Sequence, residues 1–261
     1  MIDIGINFTD RAFHSDLAEC LHRANAVGVT HMIVTGTDAP GSQAAAELCE
    51  QHPQQLFATA GVHPHHAREW DENTQAQLES LLRLPQVVAV GETGLDFNRD
   101  FSPRPSQVAA FEAQLQLAAM ARKPLFLHER DAFTVQYDIL KQHRAAITDA
   151  VVHCFTGDET ALRAYLDLDL YIGITGWICD ERRGQNLQQL IRYIPGDRLL
   201  IETDGPYLLP RDLKPKPKSR RNEPCYLPHI AARIAELRDQ SLAAVIEHTR
   251  RNTIRCFKLP L

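Results

Sequence analysis

Six side chains of metal-binding or acid–base type stand at comparable places along the chain, each just after a short apolar, β-branched run. Glu92 follows VVAVG in VVAVGETGLDF (87–97), His128 follows PLFL, His153 follows AVV, and Glu202 and Asp204 close LLIETD. His63 lies in GVHPHH, and Asn7 and Thr9 hold the same place after DIGIN. A carboxylate at the depth that the strand before Glu92 implies costs several kcal/mol unless a cation or donor meets it. Imidazole nitrogens and carboxylate oxygens are the ligands of Zn, Mn and Fe, and carboxylates also of Mg. Glu92, His128, His153 and Asp204 therefore form a two-histidine, two-carboxylate set. A dication among them would offset the desolvation of Glu92 and lower the pKa of a bound water. Each residue also has a plainer reading: Glu92 in an ion pair with Arg130, Glu202 and Asp204 as caps, each histidine hydrogen-bonded in place. Their recurrence at one end of several strands favours the metal. Cys154, beside His153, reads as a small buried filler.

What must position them is a repeated unit. Runs at 3–7, 31–36, 56–64, 87–92, 124–128, 150–155, 170–176 and 199–204 each precede a helical pattern, the last extending over 227–250. Eight such β-then-α units average about 33 residues over 261. Alternation of this kind predicts a parallel sheet, and eight units close into a (β/α)8 barrel. An open doubly wound sheet is the alternative, and no GxGxxG follows the first strand to support it. In a barrel the carboxyl ends of the strands share one mouth, where active sites are built. No low-complexity linker interrupts the chain, which predicts one domain over 1–261 with a basic loop at about 208–224.

Composition narrows the partners. The chain is 44% hydrophobic and 23% charged with a net charge of −5, which excludes a surface coated in positive charge. RDLKPKPKSRR (211–221) nevertheless holds six bases and one acid, leaving about −10 on the rest (−5 minus +5). Lys214, Lys216, Lys218, Arg220 and Arg221 would face the mouth, stiffened by Pro215 and Pro217, and contact phosphates without sequence preference. Trp177 and Tyr207, also past strand ends, could stack on bases. The six cysteines form no CxxC pair, no run reaches the ~18 apolar residues of a membrane helix, and MIDIGINFTD has no basic leader. The expectation is a cytoplasmic, non-membrane, monomeric protein with reduced thiols.

GVHPH, GETGLDF, LHERDA, HCFTG and IETDGPYLLPR, in this order, resemble the TatD-like metal-dependent deoxyribonucleases over about residues 3 to 250. DIGINFT, TGWICDERRG and PKPKSRRNEP are similar to one branch of that family. The resemblance implies a (β/α)8 barrel and a 3′-to-5′ exonuclease acting on single-stranded DNA and RNA with Mg2+, linked to repair of oxidative DNA damage. The histidines would also suit Mn2+ or Zn2+. Carried over by position, Glu92, His128 and His153 match metal ligands, and Asp204 matches a ligand or the group orienting the attacking water. His63 matches a contact to metal or phosphate, with Arg130 a further phosphate contact. Many relatives carry an HxH pair where Asn7 and Thr9 stand, so one firmly held metal is expected, with a second recruited by substrate phosphate. Glu129 adds an acid near the mouth. Two other readings stay open: an amidohydrolase-type enzyme for a small substrate, and a nucleic-acid-end binding protein that has lost catalysis.

Overall fold

A computed structural model describes all residues 1–261. Its eight strands are β1 (Ile2–Ile6), β2 (His31–Val34), β3 (Leu56–Ala60), β4 (Val87–Asp96), β5 (Leu125–Arg130), β6 (Ala150–Val152), β7 (Tyr171–Ile174) and β8 (Leu199–Ile201). They pair in parallel, in sequence order, as one eight-stranded sheet. Helices α1 (Leu17–Ala26), α2 (Ala39–Gln51), α3 (Glu72–Leu81), α4 (Arg104–Ala121), α5 (Phe133–His143), α6 (Glu159–Asp167) and α7 (Gln185–Leu190) fall between successive strands. The fold is the expected (β/α)8 barrel, and its strands are near-continuous apolar runs because both faces are covered.

Two apolar clusters build it. Ile6, Met32, Val34, Phe111 and Leu140 belong to the larger one, between sheet and helices. Ile2, Ile4, Ile33, Phe57, Phe126, Val151 and Leu200 alternate with them and fill the barrel interior, joined by Phe257 and Leu259. The last helical region, expected over 227–250, is divided in two. α8 (Leu227–Leu237) and α9 (Leu242–Phe257) are separate helices. Asp239 breaks the run in a left-handed conformation (φ 53°), and the Ser241 hydroxyl accepts the Ala244 N–H to begin the next helix. The end of α9 then delivers Phe257 to the barrel floor.

The seam between β8 and β1 has no full ladder. One parallel bridge joins Ile6 to Gly205, with the Asp204 N–H donating to the Gly5 carbonyl (2.8 Å) and the Asn7 N–H to that of Gly205 (2.8 Å). Below it, the buried Asp3 carboxylate accepts from the Thr203 N–H (2.9 Å) and hydroxyl (2.5 Å). A side chain here takes the part that a backbone carbonyl plays elsewhere in the sheet. No helix is long and apolar enough to cross a membrane.

Candidate active site

Most of the strands end sooner than the apolar pattern suggests, while β4 continues through Glu92 to Asp96. The close approach of β3 to β4 requires glycine. A Cβ on Gly61 would lie 2.5 Å from the Gly91 Cα, and Gly91 itself (φ 148°) has the Phe126 carbonyl where a Cβ would go. Glu92 projects into the mouth with only 6% of its surface exposed.

What meets Glu92 is a set of imidazoles. Its Oε1 lies 2.7 Å from His153 Nε2, 2.9 Å from His128 Nδ1 and 3.4 Å from His63 Nε2. The other His153 nitrogen faces Glu202 Oε2 at 3.4 Å, and Glu202 Oε1 accepts the Cys154 N–H at 2.6 Å. The Phe126 ring stacks on His153 at 4.5 Å. His63 Nδ1 accepts the His65 N–H (3.1 Å), which leaves its Nε2 as the protonated nitrogen toward Glu92. His128 Nε2 is buried without a hydrogen-bond partner, its nearest carboxylate being Asp96 Oδ2 at 3.7 Å. Arg130 does not pair with Glu92; it reaches the Thr156 hydroxyl at 3.5 Å.

Three buried glutamines hold the backbone where the strand ladders give out. Gln114 of α4 accepts from the Val62 N–H and donates to its carbonyl, beside His63. Gln107, two helical turns earlier on the same face of α4, does the same for Asp96. Gln136 of α5 accepts the Leu95 N–H. Each amide satisfies main-chain groups that would otherwise be buried unpaired, so the side chains next to them are held to one position.

The charges are tightly interdependent. Burial favours neutral Glu92, but the surrounding histidines outweigh it and hold its pKa well below the usual carboxylate value. Burial opposes charge on His153, yet Glu92 and Glu202 raise it well above the ordinary imidazole value. Burial keeps His63 neutral, while Asp96 and Glu92 overcome burial to raise His128. Asp204 differs: burial pushes its pKa up to about 7, with the Glu92 and Glu202 charges adding to the rise. Asn7 answers part of this by donating to Asp204 Oδ1 at 3.1 Å. Asn7 is therefore oriented by Asp204 and by the Gly205 carbonyl, which also accepts from it (3.1 Å).

All of Glu92, His63, His128, His153, Asp204 and Arg130 line one cleft of about 800 Å3 at the carboxyl ends of the strands, with Trp177 and Tyr207 at its rim. Ligand atoms of His63, Glu92 and His128 lie within 4.8 Å of one another. That donor set, with an unpartnered His128 nitrogen among it, fits a divalent cation. Cys154 lines the cleft too, its thiol pKa pushed well up by burial.

The basic loop divides. Lys214, Lys216, Lys218 and Arg220 are exposed outside the cleft. Arg221 departs from its expected role as a phosphate contact. Its guanidinium donates to both Asp16 oxygens (2.7 Å each) and to Glu223 (2.7 Å), and lies over the Phe13 ring. Two site residues escaped the sequence reading. Asp96 caps Asn98 and Arg99 N–H groups and pairs with His65 Nε2 at 2.6 Å, next to His128. Its signal was parity: Asp96 is four residues beyond Glu92 in one strand and so shares its face.

Comparison with known proteins agrees with this geometry. The model of the family described as TatD related DNase matches residues 2–258. A protein named 3′-5′ ssDNA/RNA exonuclease TatD from Edwardsiella piscicida is 53% identical over 259 residues, covering 99% of this chain and 100% of that one. One of the same name from Erwinia tasmaniensis is 51% identical over 259 residues, with 99% and 100% covered. Among solved structures, the TatD homologue YJJV of Escherichia coli superposes with a TM-score of 0.90 at 30% identity, covering 100% of this chain and 98% of that chain. A TatD family hydrolase from Entamoeba histolytica gives 0.90 at 28% identity, covering 98% and 97%.

Proposed function

Because the chain belongs to the TatD related DNase family, we propose that it is a metal-dependent exonuclease that hydrolyses phosphodiester bonds of single-stranded DNA and RNA from the 3′ end. The polarity and substrate follow the names of relatives such as the Edwardsiella piscicida protein. The observation that carries the chemistry is the convergence of three imidazoles on one oxygen of buried Glu92.

Glu92, His128, His153 and His63 would hold a divalent ion, Mg2+ or Mn2+, with Zn2+ also suited to the imidazoles. Such an ion, when bound, supplies positive charge to a phosphoryl oxygen and acidifies a water. Asp204, held by Asn7 at the edge of the cleft, would accept the proton of the attacking water. Arg130 contributes positive charge at the cleft wall. Asp96 and His65 are positioning residues, acting through the orientation of His128. Lys214, Lys216, Lys218 and Arg220 attract the polyanionic strand from outside the cleft, while Trp177 and Tyr207 offer aromatic surface at its rim.

The test is hydrolysis of a 5′-labelled single-stranded oligonucleotide with EDTA, Mg2+, Mn2+ or Zn2+, beside Glu92→Ala. A ladder shortening from the 3′ end, requiring metal and absent in the variant, is the expected result. An intact oligonucleotide under every metal overturns the assignment.

A further inference from the structure

A second cluster of ligand-type side chains lies outside the cleft, where three connections meet. Cys179 ends the short 3-10 turn after β7 (Gly176–Cys179), Asp212 lies in the loop after β8, and His229 is the third residue of α8. The Cys179 sulfur, an Asp212 oxygen and a ring nitrogen of His229 all fall within 4.8 Å of one another. His229 Nε2 and Asp212 Oδ1 are already paired at 2.6 Å. Cys179 is 3% exposed, so its thiol is fixed by the fold rather than free to swing. The root of the loop is docked beside it, with Arg211 Nε 3.7 Å from Asp180 Oδ2 and from Glu181 Oε2.

We propose that Cys179, Asp212 and His229 form a binding site for a borderline-soft divalent cation of the Zn2+ class, separate from the active site. Thiolate, imidazole and carboxylate are the ligands that select Zn2+ over Mg2+. Bond lengths of about 2.0 to 2.3 Å in a tetrahedron place such ligand atoms roughly 3.3 to 3.8 Å apart, so the Asp212–His229 pair needs to open by only about 1 Å. The ion replaces the thiol proton, and the fourth position faces solvent beside exposed Asp212. Occupancy ties the exit of β7, the basic loop and α8 together, and so limits the motion of the loop that carries Lys214 to Arg220.

The probe is Co2+, read by its thiolate-to-metal charge-transfer absorption in the near ultraviolet. This readout is silent for the all-histidine-and-carboxylate set around Glu92 and independent of activity. The full chain, freed of metal and titrated with Co2+, should develop the band. Cys154→Ala, which removes the thiol lining the cleft, should keep it, and Cys179→Ala should abolish it. Asp212→Asn, an exposed loop change that leaves the core intact, should weaken Co2+ binding by at least about tenfold. No band in the unaltered protein overturns the proposal and leaves a hydrogen-bonded cluster only. A band that survives Cys179→Ala, or vanishes in Cys154→Ala, overturns it by locating the thiolate elsewhere.

Discussion

Asp3 of β1 and Glu92 of β4 are both buried strand acids, and the protein answers them in opposite ways. Asp3 meets two N–H groups and a hydroxyl, from Gly5 and Thr203. Despite these donors burial pushes its pKa up to about 7, so it is close to a neutral hydrogen-bonding group. Glu92 meets imidazoles, and stays ionised well below the ordinary range. Neutral donors make an acid part of the scaffold. A ring of histidines keeps the negative charge, and each can trade its proton for a metal. Burial alone does not set the charge of an acid; the chemistry of its partners does.

The comparison breaks if both acids behave alike on substitution. Glu92→Ala should lower kcat/KM on a single-stranded oligonucleotide by at least about 10³-fold, roughly 4 kcal/mol. Asp3→Asn should leave it within about threefold. Equal losses would make Glu92 a scaffold residue too. Metal should separate them again in thermal unfolding. Saturating Mn2+ at about 100 times its Kd stabilises a native-only site by about 2.7 kcal/mol, an effect expected in Asp3→Asn and absent in Glu92→Ala.

Asp3 itself sets the sign of a pH effect. Its folded pKa near 7 exceeds the unfolded 3.8, so the folded chain binds the extra proton between those values. Its contribution is fully present below pH 4 and declines as pH rises to about 7, by something on the order of 4 kcal/mol. Wild type should therefore lose stability relative to Asp3→Asn across that window, and the difference should level off above it. A difference that grows in favour of wild type would show an ionised acceptor instead.

The basic loop offers a milder contrast of the same kind. Replacing Lys214, Lys216, Lys218 and Arg220 by Ser should raise KM for an oligonucleotide about tenfold while sparing a small phosphodiester. Asp16→Asn, which breaks the pair with Arg221 and Arg23, should instead cost about 1 kcal/mol of stability and leave KM unchanged. A raised KM in Asp16→Asn would return Arg221 to the substrate.

Much of this was legible in the chain. The eight apolar runs marked the strands because both faces of a parallel barrel strand are buried. Glu92, His128, His153 and Asp204 stood out because polar residues are expensive at the ends of such runs. What the sequence hid depends on partners far away along it. Arg221 reads as one more base in a basic stretch, and only the fold sets Asp16 and Glu223 against it. Asp3 reads as an ordinary strand residue until Thr203 arrives. His65 and Asp96 are separated in the chain by α3 and become a pair only when the segment after β3 meets the end of β4. The glutamines of α4 carry no motif, yet they hold the backbone beside His63 and Asp96.

The thin seam between β1 and β8 has a consequence in time. A chain leaving the ribosome has made His63, Glu92, His128 and His153 well before it reaches Asp204. The same residue that completes the acidic side of the cleft donates the backbone hydrogen bond that shuts the barrel against Gly5. Closing the cylinder and completing the cleft lining thus share one residue, and no fragment that stops before Asp204 carries the whole set of groups.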